Sequence, residues 1–143
     1  VVPLSGDAFS TPPLHLLRAG TLTCLTPSLY GSRRTGVPHV PTADGWDLAA
    51  GQTPLAEMIA AVPHGALVDR LSMGDPAANG DFSGVIKNSF LIEHGEVGPA
   101  LSEVMISGNV AQMLRDVVAV STERIDTGGS VLPWLRIGGL HFT

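Results

Sequence analysis

One stretch constrains the fold more than any other: NGDFSGVIKNSFLIEHGEVG, residues 79–98. Phe82, Ile86, Phe90 and Ile92 recur at even spacing, the period of a strand with one buried face. Residues 82–107 therefore read as a β-hairpin turning at His94-Gly95, since Gly takes positive φ freely and His tolerates it. A two-residue loop sets Glu93 opposite Glu96, an unfavourable like-charge pair, and a four-residue loop closing at Ile92 and Val97 is the alternative. The second arm carries Val97, Leu101 and Met105 on one face and Ala100, Val104 and Ile106 on the other, which predicts a strand buried on both sides.

Helices can be placed around this hairpin. Thr53 is a good N-cap and Pro54 suits the first helical position. Leu55, Met58, Ile59 and Val62 then fall on one face before Pro63 stops the helix. Asn109 followed by Gln112 gives a variant capping box, and Val110, Met113, Leu114, Val117 and Val118 form its apolar stripe. Helices are expected at 54–62 and 109–120, and strands at 22–25, 66–71 and 131–137. Pro133 places the last at an edge or a bulge. One helical turn is expected at 14–17, and Thr127-Gly128-Gly129-Ser130 reads as a turn. Residues 27–53 read as a long loop, and loops of that length in compact domains are functional or disordered. The fold class expected is α+β: a mainly antiparallel sheet with two short helices packed on it.

The chain has 143 residues with 17 Gly and 11 Pro, a length that suits one domain spanning 1–143. It opens Val1-Val2-Pro3-Leu4, with neither an initiator Met nor a charged leader, which predicts a fragment of a longer chain and no signal peptide. A net charge of −5 with no basic run beyond Arg33-Arg34 argues against nucleic acid. No stretch approaches the ~20 apolar residues of a membrane span. The lone Cys24 cannot form an internal disulfide and suits a reducing compartment, so a cytoplasmic location is expected.

The candidate chemistry is sparse. His15, His39, His64, His94 and His141 show no metal-ligand spacing. Cys24 sits in an alternating strand pattern and reads as a buried, inert thiol. Glu93 and Glu96 flank a turn, where carboxylates are usually solvated. Gly80-Asp81-Phe82-Ser83-Gly84 reads as a turn feeding Phe82 into the core, with Asp81 and Ser83 bonded to nearby backbone, in preference to an anion cradle. The segment from Tyr30 to Val40 carries Tyr30, Arg33, Arg34 and His39 together. An arginine there can hold a carboxylate while an extended peptide pairs with a strand edge, so these four residues are the candidate substrate- or partner-binding set.

The order of Gly80-Asp81-Phe82-Ser83, Ile92-Glu93-His94-Gly95-Glu96, Ile106-Ser107-Gly108-Asn109 and Val118-Ala119-Val120 resembles the C-terminal domain of the TldD/PmbA family, once called modulators of DNA gyrase. GWDLAAGQTPLAEMIAAVPHGALVDRL and the tail GGSVLPWLRIGGL are similar as well. The resemblance implies a metallopeptidase of paired subunits, a homo- or heterodimer with another family member, acting on peptides. It places the zinc motif, His-Glu-x-x-x-His, upstream of such a domain, and this chain contains none. A late Cys expected in the catalytic branch is replaced by Thr127-Gly128-Gly129-Ser130, which points to the PmbA-like, non-catalytic branch. The expectation is a domain with no catalytic residue and no metal of its own, zinc belonging to the catalytic partner. A free-standing hydrolase using Cys24 and a peptide-binding module without proteolysis are the alternatives.

Overall fold

The computed structural model describes residues 4–42 and 44–143; Val1–Pro3 and Ala43 lie outside the described residues. The described chain forms two compact units, divided after Trp46. In the first, β1 (Leu17–Arg18) and β2 (Thr21–Leu22) form a minimal antiparallel hairpin. The helical turn expected at 14–17 is therefore absent. So is a strand running to Leu25, because the pairing ends at Leu22. The hairpin is followed by α1 (Leu29–Thr35).

The helix α1 corrects the expectation of an unbroken loop over 27–53. Its ends carry ordinary signals: the Ser28 hydroxyl accepts from the Gly31 N–H, and Gly36 closes the helix at φ 75°, a left-handed conformation suited to glycine. Gly31 and Ser32 within it weaken helix propensity and hide the pattern. The described residues thus contain three short helices, not two.

The second unit contains α2 (Leu55–Ala60), β3 (His64–Leu67), β4 (Arg70–Ser72), β5 (Asp81–Lys87), β6 (Ser89–Glu93), β7 (Glu96–Leu101), β8 (Met105–Asn109), α3 (Val110–Arg115), β9 (Val117–Asp126), β10 (Val131–Ile137) and β11 (His141–Phe142). Every strand pair is antiparallel, as the α+β expectation requires. The strand orders are β11-β8-β5-β4, β3-β6-β7 and β10-β9.

The expected long hairpin exists, but it is bent. Asn88 takes φ 51° and separates β5 from β6, so the first arm belongs to two sheets. Its neighbour breaks at the same level, separating β3 from β4 where one strand over 66–71 is expected. The Asn88 side-chain amide donates to the Asp69 carboxylate across this corner, 2.8 Å. Leu67 pairs with Phe90 and Arg70 with Lys87, so three residues are traversed on each strand and the register survives the bend.

The turn at the far end has two residues, His94 (φ 52°) and Gly95 (φ 82°), the signature of a type I′ hairpin. Glu93 does pair with Glu96. His64 of β3 lies opposite Glu93 on the other side, with 3.8 Å between Nδ1 and Oε1. The turn docks on the loop after α2: the His94 and Gly95 N–H groups donate to the Pro63 and Val62 carbonyls. A Cβ on Gly95 would stand 2.5 Å from the Ala60 carbonyl oxygen, so no other residue fits.

Phe82, Ile86 and Ile106 form the buried core, with Leu71, Met73, Val104, Met113 and Leu140 around them. Ile92 is buried too, but Phe90 is exposed, because the corner and the register shift between Phe90 and Ile92 break the alternation. The strand β7 is exposed along nearly its whole length, correcting the expectation of burial on both faces. It is the edge of its sheet, and Pro99 is compatible with that place.

The second expected helix is much shorter than 109–120. Asn109 caps it as read, its Oδ1 accepting from the Ala111 and Gln112 N–H groups. Gln112 does not close the capping box; its side chain donates to the Asp116 carboxylate. From Val117 the chain is extended instead, with Val117, Ala119 and Val120 pairing with Ile137, Arg136 and Leu135 of β10, the conformation that the β-branched Val117, Val118 and Val120 favour. Of the predicted stripe, Met113 and Val117 are partly buried and Val110, Leu114 and Val118 are exposed.

Candidate functional site

Tyr30, Arg33 and Arg34 lie on α1, and all three side chains are exposed. Helical spacing puts Tyr30 and Arg34 one turn apart on the same face, with the guanidinium carbon 6.0 Å from the ring centroid, the outer limit of a cation–π contact. Arg33 and Arg34 occupy the last turn, where positive charge complements the helix dipole.

His39 is different. Its Nδ1 donates to the Pro27 carbonyl at 3.1 Å, a bond that fixes the proton on that nitrogen because a carbonyl only accepts. Its ring meets Phe9 edge-on with centroids 5.3 Å apart. His39 thus ties the segment after α1 to the segment before it, while the arginines and the tyrosine face outward. The four predicted residues split into three exposed groups and one tether.

The thiol of Cys24 donates to the main-chain carbonyl of His15 at 3.7 Å. It is only partly buried, against the expectation of a buried thiol in a strand, because β2 ends at Leu22, before it. Its bond to the His15 backbone engages no general base, so the geometry lends nothing to nucleophilic chemistry at this position.

Zinc, which the resemblance associates with these proteins, does not fit the described residues. No three His, Cys, Asp or Glu side chains among them converge on one point, and a zinc site needs at least three protein ligands. The anion cradle is excluded as well. Phe82, Ser83 and Gly84 pair with Gly108, Ser107 and Ile106, which commits their backbone to a strand ladder. Glu93 and Glu96 are exposed.

Two polar clusters were not legible in the sequence. At the first, Asp81 accepts from the side-chain amides of Asn109 and Asn79, at 2.9 and 2.6 Å. These bonds, Asn109 first, hold its carboxyl below the usual value. Asp81 therefore bonds to side chains, where backbone partners are expected from its turn position. At the second, the Glu123 carboxylate accepts from the Leu55 N–H at 2.9 Å. Pro54, not Thr53, is the residue at the start of α2, and it has no side-chain cap to offer. Glu123 supplies the missing acceptor from 68 residues away. Its carboxyl is held low by its own backbone N–H and then by that of Leu55.

An open groove of about 960 Å³ runs along the second unit, lined largely by apolar side chains including Leu55, Ile59, Leu91, Leu132 and Leu135. No helix of the described residues is long and apolar enough to cross a membrane.

A family model described as the PmbA/TldA metallopeptidase C-terminal domain matches residues 2–143. The chain belongs to this family. Metalloprotease PmbA of Escherichia coli O157:H7 is 27% identical over 146 residues, which cover 96% of this chain and 32% of that protein. The Metalloprotease PmbA homolog of Buchnera aphidicola is 23% identical, with the same coverage of both chains. The chain thus spans about a third of the length of these relatives. Among solved structures, proteins named as modulators of DNA gyrase superpose with TM-scores of 0.81 (Bacteroides thetaiotaomicron, 24% identity, 98% of this chain and 32% of that one) and 0.77 (Thermotoga maritima, 21% identity, 99% and 35%). TldE from Thermococcus kodakarensis superposes with a TM-score of 0.76 at 21% identity, over 97% and 35%. These three establish that the PmbA/TldA C-terminal fold is shared.

Proposed function

We propose that this chain is the C-terminal domain, spanning 1–143, of a PmbA-like subunit in a cytoplasmic metalloprotease complex that processes peptides, and that it is non-catalytic by itself. The observation carrying this reading is the family match over nearly the entire chain, joined to the Thr127-Gly128-Gly129-Ser130 tail at the place where the catalytic branch is expected to carry a Cys. Zinc then resides in the catalytic partner, a second TldD/PmbA family subunit in a homo- or heterodimer. The exposed Tyr30, Arg33 and Arg34, on a helix tethered by His39, face that partner or the peptide. Arginines so displayed suit a carboxylate on either. An acidic chain of this kind has no call on nucleic acid.

The test is peptide cleavage by the full-length subunit, alone and mixed with a family subunit that carries the zinc motif. Cleavage only in the mixture supports the reading. Cleavage by the subunit alone, surviving a chelator, would replace it with a free-standing hydrolase.

A further inference from the structure

Asn79-Gly80 is the one Asn-Gly dipeptide in the chain, and Asn79 is exposed. Asn before Gly is chemically labile, because glycine leaves its amide nitrogen sterically open to attack the neighbouring side chain. In that reaction the Gly80 nitrogen bonds to Asn79 Cγ, the Cγ–Nδ2 bond breaks, and the amide leaves as ammonia with the proton lost from Gly80. Water then opens the succinimide at either carbonyl, giving aspartate or isoaspartate. No oxidant or reductant is involved.

The attack needs a free Gly80 N–H and a side chain able to rotate over it. The fold withholds both. The Gly80 N–H donates to the Ala77 carbonyl at 2.8 Å, and the Gly80 carbonyl accepts from the Val110 N–H at 2.8 Å. Asn79 Oδ1 accepts from the Asp81 N–H at 3.1 Å, and Nδ2 donates to the Asp81 carboxylate at 2.6 Å. Asn109 Nδ2 bonds both the Asn79 carbonyl and the Asp81 carboxylate, each at 2.9 Å. The nucleophile and the electrophile are thus fixed in separate hydrogen bonds.

We propose that Asn79-Gly80 is a latent deamidation site, held shut by the Asn79–Asp81–Asn109 network and exposed to reaction when that network loosens. The product weakens the lock that prevented it. Aspartate at 79 loses the Nδ2 donor and sets a second carboxylate against Asp81, and isoaspartate lengthens the backbone beside Asn109, the cap of α3.

The experiment follows modification at Asn79 by peptide mapping in the full chain, at mildly alkaline pH. Native protein is compared with denatured protein and with a synthetic peptide of residues 74–84. Native protein should react at least about tenfold more slowly than either, since reaction through local opening scales with the open fraction. Asn109→Ala, kept folded by circular dichroism, should react faster than wild type, and Asp81→Asn serves if Asn109→Ala does not fold. An Asn79→Asp variant should unfold at a lower urea concentration than wild type. Equal rates in native and denatured protein would overturn the proposal, as would a folded network variant no faster than wild type. An Asn79→Asp variant as stable as wild type would overturn the claim that the product loosens the lock.

Discussion

Ser121 is fully buried and makes two bonds through one hydroxyl: it donates to the Glu123 carbonyl at 2.6 Å and accepts from the Trp134 N–H at 2.7 Å. The second bond matters because the ladder between β9 and β10 shifts register between Pro133 and Leu135, leaving Trp134 without a strand partner there. Ser121→Ala strands that donor, at a cost of about 1–3 kcal/mol, which a urea titration of wild type and variant will read. Glu123 and Asp81 give a pH dependence of definite sign. Both carboxyls are held below their ordinary values of 4.5 and 3.8, so between folded and unfolded pKa the unfolded state binds more protons. Their contribution is present above the ordinary values and is lost as pH falls through the folded ones. The urea midpoint should decline in that acid window, and less steeply in Glu123→Gln. An identical decline in the variant would remove Glu123 from the account.

At the scale of elements, the bent hairpin and its core decide stability. Ile86 is 2% exposed and packs with Phe82 and Ile106, so Ile86→Ala should cost about 2–5 kcal/mol by the same titration. The alternation of Phe82 and Ile86 and the His94-Gly95 turn were readable because strand period and turn chemistry are local. The bend at Asn88 was not, since it depends on Asp69, far away in sequence. The boundary between α3 and β9 was missed for the same reason: Val117 and Val118 continue a helical spacing, but pairing with β10 overrides it. The cap of α2 was misassigned to Thr53 because the acceptor comes from Glu123. Helix α1 is the opposite case, for Ser28 and Gly36 were both in view and only the weak helix formers between them concealed it.

For the whole molecule, the placement of the candidate residues was half legible. The sequence grouped Tyr30, Arg33, Arg34 and His39, but only a fold could separate the outward three from the His39 tether. We expect Arg33→Ala combined with Arg34→Ala to leave folding intact, because both side chains are exposed, and to lower peptide cleavage by the reconstituted complex. Loss of cleavage with assembly preserved would assign the arginines to substrate, and loss of assembly would assign them to the subunit interface. Unchanged folding, assembly and cleavage would remove α1 from the functional surface. The central claim, that this domain carries no catalytic metal of its own, is tested most directly by elemental analysis of the purified, tag-free chain. The account predicts zinc far below stoichiometric, and about one tightly held zinc per chain would contradict it.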